Sequence, residues 1–291
     1  MASQRIGSLL SPMNLNCGCR KVVLLVAGLA SLGSFLQAHA DLPTLEKKEL
    51  LGYFIRFENR NFRYDVNTKG ETSLLLAGKK DYLDQRLKVN INFRVEETEP
   101  NGQIVVKNID PSSLTSEQSP TEKPENVVIK GKVTGDATFE VYMTEARGAI
   151  ILGGKVTNPG TLKNPLRFSI KAKIPNAYPN SQTTEDLGKF EALVKKDRVQ
   201  VLWMDGKNAK ITGVDPFSAL TKEAAVPPIS AAYMDFSSYE GNKLVITADP
   251  NSSMMISSPT GKSAYQGFEL TWYSDAAKDP EGKARLNFSV K

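Results

Sequence analysis

The chain has 291 residues, 40% of them apolar, with one histidine, two cysteines and a formal net charge of +5. His39, Cys17 and Cys19 all precede residue 41, as do three basic residues (Arg5, Arg20, Lys21) and no acidic one, so residues 41–291 carry 34 basic side chains (37 − 3) against 32 acidic. That balance argues against a nucleic-acid binder. Without imidazole or thiol, residues 41–291 also lack zinc ligands of the His/Cys type and Ser-His-Asp or Cys-His nucleophiles.

The chain opens on a stretch that reads as a signal peptide over residues 1–40. Arg20 and Lys21 are followed by an apolar run from Val22 to Leu36, and Ala38-His39-Ala40 forms a small-x-small cleavage site. Met13 offers an alternative start. The run is interrupted by Ser31, Gly33 and Ser34 and falls short of the ~20 residues a membrane-spanning helix needs. No transmembrane anchor is expected after cleavage, and the location expected is periplasm, cell surface or extracellular space.

Residues 41–109 read as an N-terminal β region. Tyr53, Ile55 and Phe57 alternate with polar neighbours, as do Phe62, Tyr64 and Val66, and the parity switch between them predicts a turn at Glu58–Asn61. A short run follows at Ser73–Ala77. The strictest alternation is Arg86–Glu96, where Leu87, Val89, Ile91, Phe93 and Val95 share one parity, the pattern of an antiparallel strand with one wet face. Gln103–Ile109 is expected to pair back across Asn101-Gly102. Residues 110–126, rich in Ser, Pro and Glu, read as a linker or long loop.

Residues 127–291 read as a C-terminal β domain carrying two helices. Alternation marks strands at Val127–Val133, Phe139–Met143 and Phe168–Ile174, and Gly153-Gly154 reads as a turn ending Ala149–Leu152. The helices are expected at residues 184–197, capped by Thr184, and 215–225, opened by Asp215-Pro216. A hairpin around Asp205-Gly206 separates them. Strands return at Ala232–Phe236, Leu244–Ala248, Phe268–Tyr273 and Leu286–Val290. The expected fold is mainly β, an antiparallel sandwich (one large or two smaller) with those two short helices inserted.

For chemistry, paired carboxylates survive the loss of His and Cys. Glu140, Asp235 and Glu269 stand inside apolar segments, but each sits on or beside the polar parity of its strand, where a solvated carboxylate is the simpler account. Ser257 and Lys262 have no spacing that singles them out as a nucleophilic pair. Asp205–Asn208 and Asp275–Glu281 group oxygens as calcium loops do, yet turn chemistry explains them better. No metal or cofactor is expected. Tyr233, Tyr239, Tyr265, Trp272 and Tyr273 gather near the C-terminal end and are the candidate ligand-binding aromatics, since a sugar ring has an apolar face.

The function expected from these features is an exported, non-enzymatic protein with a binding or structural role, its partner a polysaccharide or another envelope protein. A carboxylate-based polysaccharide-degrading enzyme is the first alternative, and an outer-membrane β-barrel the second.

Overall fold

The strict alternation at Arg86–Glu96 forms the centre of the molecule. It becomes β4 (Lys88–Thr98), with Val89, Ile91 and Val95 buried and Lys88, Asn90, Asn92 and Arg94 on the other face. The computed structural model describes residues 41–76, 87–174, 192, 195–212, 228–237, 242–257, 268–274 and 277–291. The expected signal peptide and the second helix lie outside the described residues, as does the first helix apart from residues 192 and 195–197, of which Lys195 and Lys196 form a turn. No helix among the described residues is long and apolar enough to cross a membrane.

Two antiparallel sheets carry the fold. The first contains β1 (Tyr53–Glu58), β2 (Phe62–Asn67), β3 (Thr72–Leu76), β4, β5 (Ile104–Lys107), β10 (Leu166–Ile174), β15 (Ser252–Ser257) and β16 (Phe268–Ser274). Its order is β1-β2-β3-β4-β10-β16-β15, with β5 paired to β4. The second contains β6 (Ile109–Ser116), β7 (Val127–Val133), β8 (Thr138–Ala146), β9 (Ala149–Asn158), β11 (Arg198–Trp203), β12 (Asn208–Thr212), β13 (Ile229–Phe236), β14 (Asn242–Ala248) and β17 (Leu286–Val290). Its order is β12-β11-β13-β14-β17-β9-β8-β7-β6. These are open sheets facing one another across a shared core, so the described strands form a sandwich and the barrel alternative falls.

The inward faces are those the alternation marks. Phe62, Tyr64, Leu74, Val89, Ile170 and Trp272 from the first sheet join Phe139, Val141, Leu152, Ile246 and Phe288 from the second in one buried cluster. Phe168 stands between Phe93 and Phe139, with ring centroids 6.2 and 6.4 Å away, and so ties the two layers together. The Tyr64 hydroxyl donates to Met143 Sδ at 3.4 Å across the layers, and burial pushes its pKa far above the ordinary phenol range.

Two expectations about organisation need correction. Residues 41–109 and 127–291 do not form separate β regions: β10 pairs with β4 from Leu166↔Glu97 to Lys173↔Asn90, and both regions fall in one compact unit. Nor are residues 110–126 a bare connection. Ile109–Ser116 pairs with β7, with a register shift between Asp110 and Thr115, and Thr121 bridges Ile55 of β1. Composition hid this, because backbone pairing, with Leu114 the one buried side chain in β6, holds an otherwise polar strand. A smaller correction concerns Gly153-Gly154, which lies inside β9 and not at a turn. A Cβ on Gly154 would come within 2.4 Å of Phe168 Cε1, so glycine is there for close approach.

Candidate functional site

The outer face of the first sheet is polar, and the strand register lays it out in rows. Asp65, Ser73, Asn90, Lys173 and Glu269 lie side by side across β2, β3, β4, β10 and β16. Asn92, Lys171 and Thr271 form the next row, and Arg94, Ser169 and Tyr273 the one after. Over β1–β4 this face sinks into a recess of about 460 Å³, lined by Tyr53, Arg63, Asp65, Asn67, Glu71, Ser73, Lys88, Asn90 and Asn92 among others. That volume is of the size that holds a small organic ligand.

Asp65 is the most enclosed acid of the recess. It is buried, yet both its oxygens are bonded: Arg56 Nε donates to Oδ1 at 2.8 Å and Arg63 Nε to Oδ2 at 3.0 Å. The Arg56 guanidinium also lies 3.6 Å over the Tyr53 ring. A register shift between Tyr53 and Ile55 turns Tyr53 onto the same face as Arg56.

Glu71 is the second acid, placed by the β2–β3 hairpin. Asn67 Oδ1 accepts from the backbone N–H groups of Lys69 and Glu71 at 3.0 and 2.9 Å, and Gly70 takes the positive φ of 79° that closes the turn. Asn67 Nδ2 then donates to Glu71 Oε2 at 2.7 Å. Asp65 stands opposite Ser73, and Asn67 N donates to Glu71 O at 3.0 Å, so Asp65 and Glu71 are diagonal neighbours on one face. Diagonal cross-strand positions lie about 7–8 Å apart.

Further along the same face Glu96 is buried under its partners. Arg167 Nε donates to Oε2 at 2.7 Å and Ser169 Oγ to Oε1 at 2.7 Å, while the Arg167 guanidinium covers the Tyr273 ring at 4.2 Å. Glu97, next in the chain, pairs with Lys107 and accepts from Asn164 Nδ2 at 3.0 Å, contacts that hold its pKa below the usual carboxylate range.

Among the described residues the candidate aromatics do not form a row. Trp272 is buried in the core, because it falls on the inward parity of β16, and offers no platform to a ligand. Tyr273 is on the outer face of the first sheet under Arg167, whereas Tyr233 is exposed on the outer face of the second. There it lines a shallower recess of about 300 Å³ with Arg198, Lys210, Asp235, Lys243 and Lys291. Tyr239 and Tyr265 lie outside the described residues.

The acids singled out from sequence have local partners. Glu269 pairs with Lys171, Asp235 lies 3.7 Å from Lys243 Nζ, and Glu140 accepts from the Tyr142 hydroxyl at 2.6 Å. Both candidate calcium loops contain turn-forming acids: Asp279 accepts from the N–H groups of Lys283 and Ala284 at 2.7 Å each, and Asp205 from Lys207 N at 3.0 Å. Among the described residues no cluster of three or more acids or other ligating side chains is set to hold a metal. Asp65 and Glu71 went unnoticed in the sequence. The one signal for them was the Asn67-x-x-Gly70 turn, which fixes the hairpin register.

No protein-family model matches the chain, and no curated protein matches it. Among solved structures it is similar to an Escherichia coli K12 protein described as a "Putative aldose 1-epimerase", at 13% identity and a TM-score of 0.43, covering 81% of this chain and 98% of that one. That description is of an enzyme and stands against the expectation of a non-enzymatic binding or structural protein. A likeness of this degree assigns no activity, so any chemistry has to come from this chain's own residues.

Proposed function

We propose that the chain is an exported, carbohydrate-active enzyme that works with two carboxylates, Asp65 and Glu71, on a saccharide in the recess over β1–β4. The observation that carries this is the placement of both acids on one sheet face, lining one polar recess. The amides of Asn67, Asn90 and Asn92 supply donors and acceptors of the kind sugar hydroxyls require. One carboxyl group takes the proton of an attacking water and the other gives its proton to the departing glycosidic oxygen. One C–O bond breaks, one forms, and water is consumed.

The test is release of reducing ends from a panel of neutral and acidic polysaccharides by the wild type, Asp65→Asn and Glu71→Gln. Release by the wild type with a loss of roughly 10²-fold or more in each variant supports the assignment. Undiminished release by both folded variants, or none by the folded wild type on any polymer, overturns it.

Export rests on the leader pattern of residues 1–40. Mass spectrometry of the protein recovered from the producing cells should find Asp41 as its first residue. An intact leader on the recovered protein would contradict export by this route.

A further inference from the structure

Beside the recess, the first sheet has a window. On the flank of β4 away from β10, β3 pairs with Lys88–Ile91 and β5 with Val95–Thr98. Among the described residues no strand pairs with Asn92–Arg94 on that flank. A slot of about 250 Å³ lies at this point, and its lining changes with depth. At the mouth stand Lys69, Glu71 and Asn92; within are Phe93, Leu114, Ile129 and Phe139. Glu71 and Asn92 line the recess as well, so the polar and apolar spaces share a rim.

We infer that the site takes an amphipathic saccharide, with the sugar in the recess and an attached alkyl or acyl chain passing through the window into the slot. This rests on the carbohydrate assignment and adds the substrate class. An apolar cavity lined by Leu, Ile and Phe does not hold water well and accepts apolar ligands. A slot of 250 Å³ beside a carboxylate pair therefore selects against a bare sugar and for one carrying hydrocarbon. The shared rim makes the occupant one molecule: a chain in the slot leaves its polar head at Glu71.

Calorimetric titration of the purified protein with methyl, butyl and octyl β-D-glucoside, all below micelle concentration, tests this. Affinity should rise roughly fourfold per methylene, about 250-fold from butyl to octyl. The slope is the readout, because a poorly matched sugar weakens the whole series equally. Ile109→Trp, at a half-buried lining position, should flatten the slope; Val141→Phe serves as a second slot-filling variant. A flat series in the wild type overturns the inference, as does an unchanged slope in both folded variants. A parallel series with 6-O-octanoyl-D-glucose distinguishes an acylated sugar from an alkyl glycoside, and the steeper response identifies the source. Folded Asp65→Asn should keep the slope while lowering turnover roughly 10²-fold or more. An intact slope with no turnover on any substrate thus sinks the carboxylate chemistry alone, and turnover without a slope sinks the slot alone.

Discussion

Glu96 lies directly opposite Arg167 across the β4–β10 pair, and Arg167 Nε donates to its Oε2 at 2.7 Å while the guanidinium covers Tyr273. Removing the cation leaves a buried carboxylate held by the Ser169 hydroxyl. Arg167→Ala should therefore cost roughly 3 kcal/mol, more than Glu96→Gln, which keeps hydrogen-bonding atoms in place. Urea unfolding of the two variants checks the order.

At the recess, stability and activity should separate. Glu71→Gln alters an exposed carboxylate and should shift stability by no more than about 0.5 kcal/mol. The same change should lower kcat/KM on a cleaved polymer by roughly 10²-fold. Asp65→Asn should lose activity and stability together, because it leaves Arg56 and Arg63 without their shared anion.

A pH dependence follows from Glu97. Lys107 and Asn164 depress its folded-state pKa, so folding releases its proton more readily than the unfolded chain does. The stabilisation is thus fully present above the unfolded carboxylate pKa and is lost as pH falls through the folded value. Wild type should melt above Glu97→Gln at pH 7, and the gap should narrow as pH falls below the ordinary carboxylate range. Thermal melts across that range provide the measurement; a gap that widens on acidification would be the wrong sign.

Packing at the centre of β9 makes a further prediction. An added methyl on Gly154 meets Phe168 Cζ at 2.5 Å and Glu140 O at 2.6 Å, so Gly154→Ala should destabilise by about 1–3 kcal/mol. Trp272→Ala, which empties a fully buried site, should cost about 3–5 kcal/mol. Chemical denaturation measures both.

What the sequence displayed was sidedness. The alternation in β4, β10 and β16 marks the inward residues, because one buried face and one wet face leave a period of two; Trp272, named as a candidate ligand-binding aromatic, falls on that inward parity and lies in the core. Cover was not displayed. Glu96 and Ser169 sit on the polar parity yet are buried, since Arg167 and Tyr273 fold over them from neighbouring strands. Strands without alternating apolar residues were also illegible: β6, with its IDPSSLTS sequence, is held by its pairing with β7. The Asp65–Glu71 pairing needed the register of a hairpin, which spacing along the chain does not contain.

Thr121 has a consequence beyond its own neighbourhood. Its N–H donates to Phe54 O at 3.0 Å and its carbonyl accepts from Arg56 N at 3.2 Å, which occupies the outer rim of β1. An open rim of this kind invites a strand from another copy. The proline-rich stretch therefore acts as a stopper, and nicking it with a protease should turn a well-behaved solution into one that self-associates.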